Sequence, residues 1–559
     1  MRRREEQAVS CLFWLSEAQM RPSELYFPLT RGGARVGDRR ASAVRQTTEG
    51  LHFRHETATG GDPETDHSCA QAITRLTILV GLATTLVLAT ASPAASVERL
   101  ETRACPEALA GSSTLEAACY VFHVAEDPQD PNSIVLKIPV MQLGAKGARS
   151  KPDPVFMLNG GPGSAQYERH QARVLAFTPQ QARAYFGGRE WVIFDQRGVG
   201  ASQPRLLCED DATLEAVRAC AVALQVQGVK LNKYSSTTIA GDVERLRKAM
   251  GYDRINLWGR SYGSRLAHTM ARLYPRSVRA IIHDGPMRPD SDESIDDAIG
   301  AEAGYKAVAD DFQASSLGAM APDLWTRFNA GLSKLARSPQ RIDGELIDDA
   351  AAIRLMNRIG YTDEVNRPEL LPAAMLAVAT GNLEPMIADS KRRGSPRPPP
   401  EMRSANGMWR SVDCNEEKVF ESPGQIEQVI RTGSPVVAAY LRDLMLSKPF
   451  EKCAAWPSGR ADSIETQPVS SPIPQLVFTG QYDPTLSGLA GEGVVRISPT
   501  ARNVVFKRLG HVQVTKPWHA CAYDLANRFF DAPQGPLDTS CASAYPPLSF
   551  QLSFPTPAR

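Results

Sequence analysis

The pentapeptide Gly259-Arg260-Ser261-Tyr262-Gly263 follows the apolar run from Ile255 to Trp258 and leads into a helix-like stretch from Ser264 to Tyr274. A serine between two glycines at a strand-to-helix junction implies a turn so tight that a Cβ at either glycine would meet neighbouring backbone. Such a turn lifts the serine hydroxyl above the end of the strand, and the first N–H groups of the helix face the same spot.

The flanking sequence supplies a sheet for this turn. Val155 to Leu158, Trp191 to Phe194 and Val278 to Ile282 are further short apolar runs, each ending in a Gly-rich or polar loop. Strands this short and uniformly apolar suit a mostly parallel sheet with helices on both faces, because both strand faces are then buried. In such sheets chemistry gathers at the carboxyl ends of the strands. Ahead of them, Ala118 to His123 and Ser133 to Met141 read as a hairpin around the turn residues Asp127 to Asn132. From 290 to 470 amphipathic segments such as Ala298 to Phe312 and Pro322 to Arg337 read as an inserted helical cap. Strand-like runs return at Gln475 to Phe478 and Asn503 to Lys507. The expected organisation is a core in two parts, 96–289 and 471–559, with the cap between them.

A serine hydroxyl is a poor nucleophile unless a base takes its proton and a third group orients that base. The loop after the run at 475 carries Asp483, before Pro484, and the loop after the run at 503 carries His511. Serine, acid, histidine is the chain order this kind of site uses. His268 and His519 sit in helical stretches and His283 ends an earlier strand, so His511 is the expected base. Asn159-Gly160-Gly161-Pro162-Gly163 follows the strand at 155 and can bring backbone close to a developing oxyanion. The expected donors are the N–H of Gly161, or of Gly160, together with that of Tyr262.

At these residues the chain resembles the α/β-hydrolase serine peptidases of the proline iminopeptidase and tripeptidyl aminopeptidase family, over roughly Cys105 to Phe550. The family's His-Gly-Gly-Pro-Gly loop is similar to Asn159–Gly163, and its Asp-Gln-Arg-Gly-x-Gly-x-Ser segment is similar to Asp195–Ser202. Tyr262, the couple Cys414 and Cys453, and the end of the chain look more like the secreted tripeptidyl aminopeptidase branch. The resemblance implies an α/β-hydrolase fold with a helical cap and a peptide substrate with a free N-terminus. Asp195 and Arg197 would then brace loops. A substrate ammonium needs a carboxylate at the end of a closed pocket, and Glu416, beside Glu417 and Cys414, is the expected acceptor. Arg260 would either prefer a negative group on the substrate or brace the cap by a salt bridge. Two departures affect substrate preference: Asn159 replaces the family's histidine, and Thr485-Leu486-Ser487 replaces its usual Thr-Pro after the acid.

A formal charge of +1, with no basic stripe interleaved with aromatics, argues against nucleic-acid binding. Leu76 to Ala91 is apolar, preceded by Arg75 and followed by small residues, and residues 75–95 therefore read as a signal peptide. Residues 1–74 are expected to be a non-native or disordered extension. A translation start just before Arg75 would need a non-Met codon, since no methionine lies between Met20 and Met141. Eight of the ten cysteines follow the signal and fall into neighbouring couples, Cys105 with Cys119, Cys208 with Cys220, Cys414 with Cys453, and Cys521 with Cys541. Local disulfides close short loops of this kind, and they belong to exported proteins. Pairing by proximity is one of about 105 connectivities.

The expected function is that of a secreted or periplasmic serine hydrolase that cleaves peptides from a free N-terminus through Ser261, His511 and Asp483. Neither a metal nor an organic cofactor is implied, and a cleaved signal leaves no stable membrane partner. An exported carboxylesterase is the alternative, and a non-catalytic binding protein on the same fold is a third reading.

Overall fold

The computed structural model describes residues 98–148, 151–360, 367–392, 399–486, 488–514 and 519–555. The chain divides into two units, Met1–Ala89 and Thr90–Arg559. All described residues belong to the second; the extension 1–74 and the apolar segment 75–95 lie outside them.

Seven strands precede the helical insertion: β1 (Arg99–Arg103), β2 (Leu115–Ala125), β3 (Val135–Ala145), β4 (Lys151–Leu158), β5 (Arg189–Phe194), β6 (Ile255–Arg260) and β7 (Val278–Asp284). Inside the insertion a short hairpin, β8 (Gln340–Ile342) and β9 (Glu345–Ile347), forms a sheet of its own. After it come β10 (Gln475–Gly480) and β11 (Ala501–Phe506), which complete a nine-stranded sheet of order β1-β2-β3-β5-β4-β6-β7-β10-β11. The β1–β2, β2–β3 and β3–β5 pairs are antiparallel, and every pair from β5 to β11 is parallel.

The apolar residues of β4, β6 and β7 are explained by where their side chains go. Phe156, Leu257 and Ile281 enter one hydrophobic cluster. Their chain neighbours Val155, Trp258 and Ile282 enter a second. Successive side chains of a strand point to opposite faces, and here both faces are covered.

Between β7 and β10 the chain is predominantly helical, from Glu293–Gln313 to Pro449–Ala454. Tyr305, Phe328 and Met375 belong to a separate core built by these helices. The end of the chain contributes as well, because Phe550 packs on Phe312 with ring centroids 5.7 Å apart. Leu548, Phe550, Leu552 and Phe554 therefore pack on the core of the insertion, a role their apolar and proline-rich sequence does not announce.

All four neighbouring cysteine couples are disulfides. Bonds of this kind persist in oxidising compartments. Among the described residues no helix is long and apolar enough to cross a membrane.

Candidate active site

β6 runs straight into the turn that carries Ser261, and the helix Tyr262–Leu273 begins at the next residue. Ser261 has φ +51° and ψ −125°, a conformation that costs energy for any residue with a Cβ. The flanking glycines make the turn possible. A Cβ at Gly263 would lie 2.1 Å from the Leu158 carbonyl oxygen, and one at Gly259 would lie 2.4 Å from that of Gly263.

Asp483 and His511 meet above the neighbouring strands. His511 Nδ1 lies 2.7 Å from Asp483 Oδ2. The other oxygen, Oδ1, accepts the N–H groups of Thr485 at 2.9 Å and Leu486 at 3.0 Å. The fully buried carboxylate is thereby oriented by its own loop, and one edge is left to the imidazole. His511 packs against Gly285, where a Cβ would stand 2.8 Å from its Cε1.

Asn159–Gly163 closes on the serine from β4. A Cβ on Gly160 would lie 2.8 Å from Ser261 Cβ and 3.4 Å from its Oγ, and Gly161 sits at φ +113°. Gln196 Nε2 donates to the Asn159 carbonyl at 3.0 Å, and Asn159 Nδ2 donates to that of Ser164 at 2.7 Å. Arg260 donates to Asn159 Oδ1. Asn159 thus links the loop to Arg260, the residue before Ser261, and Arg260 braces this loop. Tyr262 opens its helix, so its N–H is one of those a helix start leaves without an internal acceptor.

Of the other histidines, His268 and His283 stack on each other inside the core, 4.2 Å between centroids. His519 caps the helix Ala520–Asp531, its Nδ1 accepting from Ala522 N–H. Asp195 accepts N–H bonds from Gln166, Tyr167 and Ala201, and Arg197 grips Asp242 through two bonds of 2.7 Å. Both residues serve the loops, as the resemblance implied.

Ser261 and Gly161 open onto a cavity of about 450 Å³ whose apolar wall includes Met287, Leu486 and Leu489. Glu293, Asp296 and Asp297, from the helix Glu293–Gln313, supply acidic groups, and Arg288 and Arg496 supply basic ones. Burial, then the Glu293 and Asp483 carboxylates, hold the Asp297 carboxyl well above the usual range.

Glu416 lies elsewhere, which corrects the expectation that it meets a substrate ammonium. It is 1% exposed, with Oε1 taken by the Ser236 N–H and Oε2 by the Ser236 hydroxyl and Arg265. Desolvation would expel an unpaired carboxylate from such a place, and Arg265 is what keeps it there.

Among the described residues two groups of side chains could invite a metal, and each is otherwise occupied. Glu293, Glu417 and Glu421 place oxygens within 4.8 Å of one another. The Lys418 ammonium already stands among them, 3.0 Å from Glu293 and 3.1 Å from Glu421. Asp413 lies beside Cys414 and Cys453, whose sulfurs form a disulfide.

Sequence reasoning missed Asp284, which accepts Gln513 N–H at 2.6 Å and Val514 N–H at 2.9 Å and so anchors the His511 loop. Its place at the carboxyl end of β7, beside the elbow strand, was the available signal. It also missed Asp297, whose four-residue spacing from Glu293 puts both carboxylates on one helical face.

A hydroxyl on a strained elbow, a carboxylate-bound imidazole and a glycine loop against the hydroxyl make up the equipment of a serine hydrolase. The chain belongs to the α/β hydrolase fold family, which it matches over residues 153–512. It is 28% identical over 198 residues to the serine protease Hip1 of Mycobacterium tuberculosis, covering 32% of this chain and 37% of that one. It is 27% identical over 341 residues to the tripeptidyl aminopeptidase of Streptomyces lividans, covering 54% of this chain and 60% of that one. It is also 27% identical over 265 residues to a carboxylesterase B of Mycobacterium tuberculosis, covering 42% of this chain and 50% of that one. The chain thus spans between 37% and 60% of the length of these relatives.

Proposed function

We propose that this serine hydrolase is an exported aminopeptidase that releases short peptides from a free N-terminus. The observation that carries the reading is that Ser261 and the carboxylates of Glu293, Asp296 and Asp297 border one cavity. A substrate ammonium would sit beside Asp296 and Asp297, next to a Glu293 already paired with Lys418, while its scissile carbonyl reached the hydroxyl. An arriving positive charge favours the ionised form of Asp297, so binding would itself charge the acceptor.

In this reading His511 takes the Ser261 proton as the oxygen attacks the carbonyl carbon. The N–H groups of Gly161 and Tyr262 hold the resulting oxyanion. His511 then passes the proton to the leaving amine, the C–N bond breaks, and a serine ester remains. Water, deprotonated by the same imidazole, attacks the ester, and Ser261 leaves with the proton restored. Asp483 keeps Nδ1 protonated and stabilises the imidazolium that forms in each half. The domain plan fits this use, with 96–289 and 471–559 as the hydrolase core and 290–470 as a cap that walls the cavity. Export rests on the four disulfides and on the signal-like segment 75–95.

The test is hydrolysis of tripeptidyl anilides with a free or acetylated amine, beside simple acyl nitrophenyl esters. Turnover should require the free amine and vanish in Ser261→Ala. Asp297→Asn should raise KM about tenfold for free-amine substrates only. Activity on esters alone, indifferent to the amine, would instead identify a carboxylesterase.

A further inference from the structure

Tyr262 is the residue after the nucleophile, and its phenol points away from the cavity into a fully buried chain of hydrogen bonds. Tyr262 Oη lies 2.8 Å from Ser236 Oγ, and Ser236 Oγ lies 2.6 Å from Glu416 Oε2. An ionised carboxylate only accepts, so Ser236 gives its single proton to Glu416 and its oxygen receives the one from Tyr262. Ser236 also opens the helix Ser236–Ala249, and its N–H bonds the other oxygen of Glu416. The carboxylate therefore rests on a helix start, where negative charge is favoured.

A second arm returns to the same helix. Arg265 Nε donates to Glu416 Oε2 at 3.1 Å and Arg265 Nη1 lies 2.6 Å from Glu417 Oε1, with every group almost fully buried. Its Nη2 donates to the Glu465 carbonyl at 3.2 Å. Tyr262 and Arg265 are three residues apart, so both arms end on one face of the first turn after Ser261. Glu416 and Glu417 belong to the insertion, on the turn Asp413–Glu417 that the Cys414–Cys453 bond ties down. Buried charge costs desolvation and is a poor source of stability, whereas it can fix one geometry.

We infer that Glu416 is a positioning residue for the oxyanion donor, holding the N–H of Tyr262 in place through Ser236 and Arg265, so that the insertion completes the oxyanion hole as well as walling the cavity. The inference rests on the reading of Ser261 as the nucleophile and of the Tyr262 N–H as a donor. It does not depend on whether the substrate is a peptide or an ester.

The test uses Glu416→Gln and Tyr262→Phe in the full chain, each assayed on free-amine tripeptidyl anilide and on acyl nitrophenyl ester, with inhibition by a trifluoromethyl ketone whose hydrate oxygen mimics the oxyanion. Both variants should lose about tenfold in kcat on whichever substrates the wild type turns over, with KM unchanged and the ketone bound about tenfold more weakly. The double variant should lose no more than the worse single one, since both break one chain. A rise in KM confined to free-amine substrates would overturn the inference and return Glu416 to the substrate. If Glu416→Gln fails to fold, Tyr262→Phe decides, because it deletes one hydroxyl: wild-type kcat and ketone affinity would then overturn it. Failure of the aminopeptidase reading would appear separately, as wild-type indifference to acetylation, and failure of the nucleophile assignment as activity in Ser261→Ala.

Discussion

The main-chain carbonyl of Asp284 accepts the N–H of Ser261 at 2.9 Å. The carboxylate of the same residue holds Gln513 and Val514, just beyond His511. A single β7 residue therefore ties the elbow to the histidine loop, although 229 positions separate Asp284 from Gln513. This link joins Ser261 to the His511 loop through one residue, beside the bonds that Arg173 and Tyr523 make to the Val514 carbonyl.

Asp284→Asn should separate the two functions of that residue. The carbonyl still holds Ser261, but an amide NH₂ now faces a backbone N–H of the histidine loop. We expect kcat to fall about tenfold to a hundredfold with KM within about twofold, and stability to fall by about 2 kcal/mol. Steady-state kinetics and urea denaturation of the same preparation check both halves.

Asp483→Asn should act through the tautomer of His511. The N–H groups of Thr485 and Leu486 fix an oxygen at the Oδ1 position, so asparagine must present its NH₂ to His511 Nδ1. That nitrogen is then forced to accept, and the proton moves to Nε2, which can no longer take one from Ser261. The expected loss is about 10⁴-fold in kcat. The fold should persist, with a melting temperature within about 2 °C of wild type, and thermal melts run beside the kinetics would show a larger fall if Asp483 were mainly structural.

Much of this was legible in the sequence because local chemistry carried it. Gly259 and Gly263 announce an elbow that only glycine permits, and β6 and β7 announce themselves as short, mostly apolar runs broken at Asn256 and Arg279. The cysteine couples were readable because each partner lies within 39 residues of the other. The acidic residues were not. Glu416 and Asp297 are both carboxylates in a helical insertion, and what distinguishes them is Arg265, 151 positions from Glu416. A partner that distant leaves no periodic trace. The same reason hid Phe550, whose contact with Phe312 joins the chain end to the first helix of the insertion.

Opening the Cys414–Cys453 bond should loosen the turn that carries Glu416 and Glu417 before it touches the sheet. Closing a loop of this length, 39 positions, restrains the unfolded chain by about 4 kcal/mol. Cys414→Ala/Cys453→Ala should therefore lower stability by a few kcal/mol, and hydrogen exchange should rise first in the insertion. Equal acceleration in β6 and β7 would show that the insertion and the core unfold together.

The stacked pair His268 and His283 should make the enzyme acid-labile over a defined window. Burial lowers the imidazole of His283 to about 4, despite its bond of 2.8 Å to Gln475. His268 is held well below its usual range by burial, then by His283 and by Arg265, Arg272 and Arg288. In the unfolded chain both take up protons near pH 6.5, so between that value and about 4 the unfolded state binds more protons than the folded one. The stability they contribute is fully present above about pH 6.5 and is lost as the pH falls, by about 1.4 kcal/mol per unit for each ring. Urea denaturation at pH 8, 6 and 5 should show that decline, and His268→Phe, which keeps an aromatic ring against His283, should remove close to half of it. An unchanged slope in this variant would mean that carboxylates, not the histidine pair, govern acid unfolding.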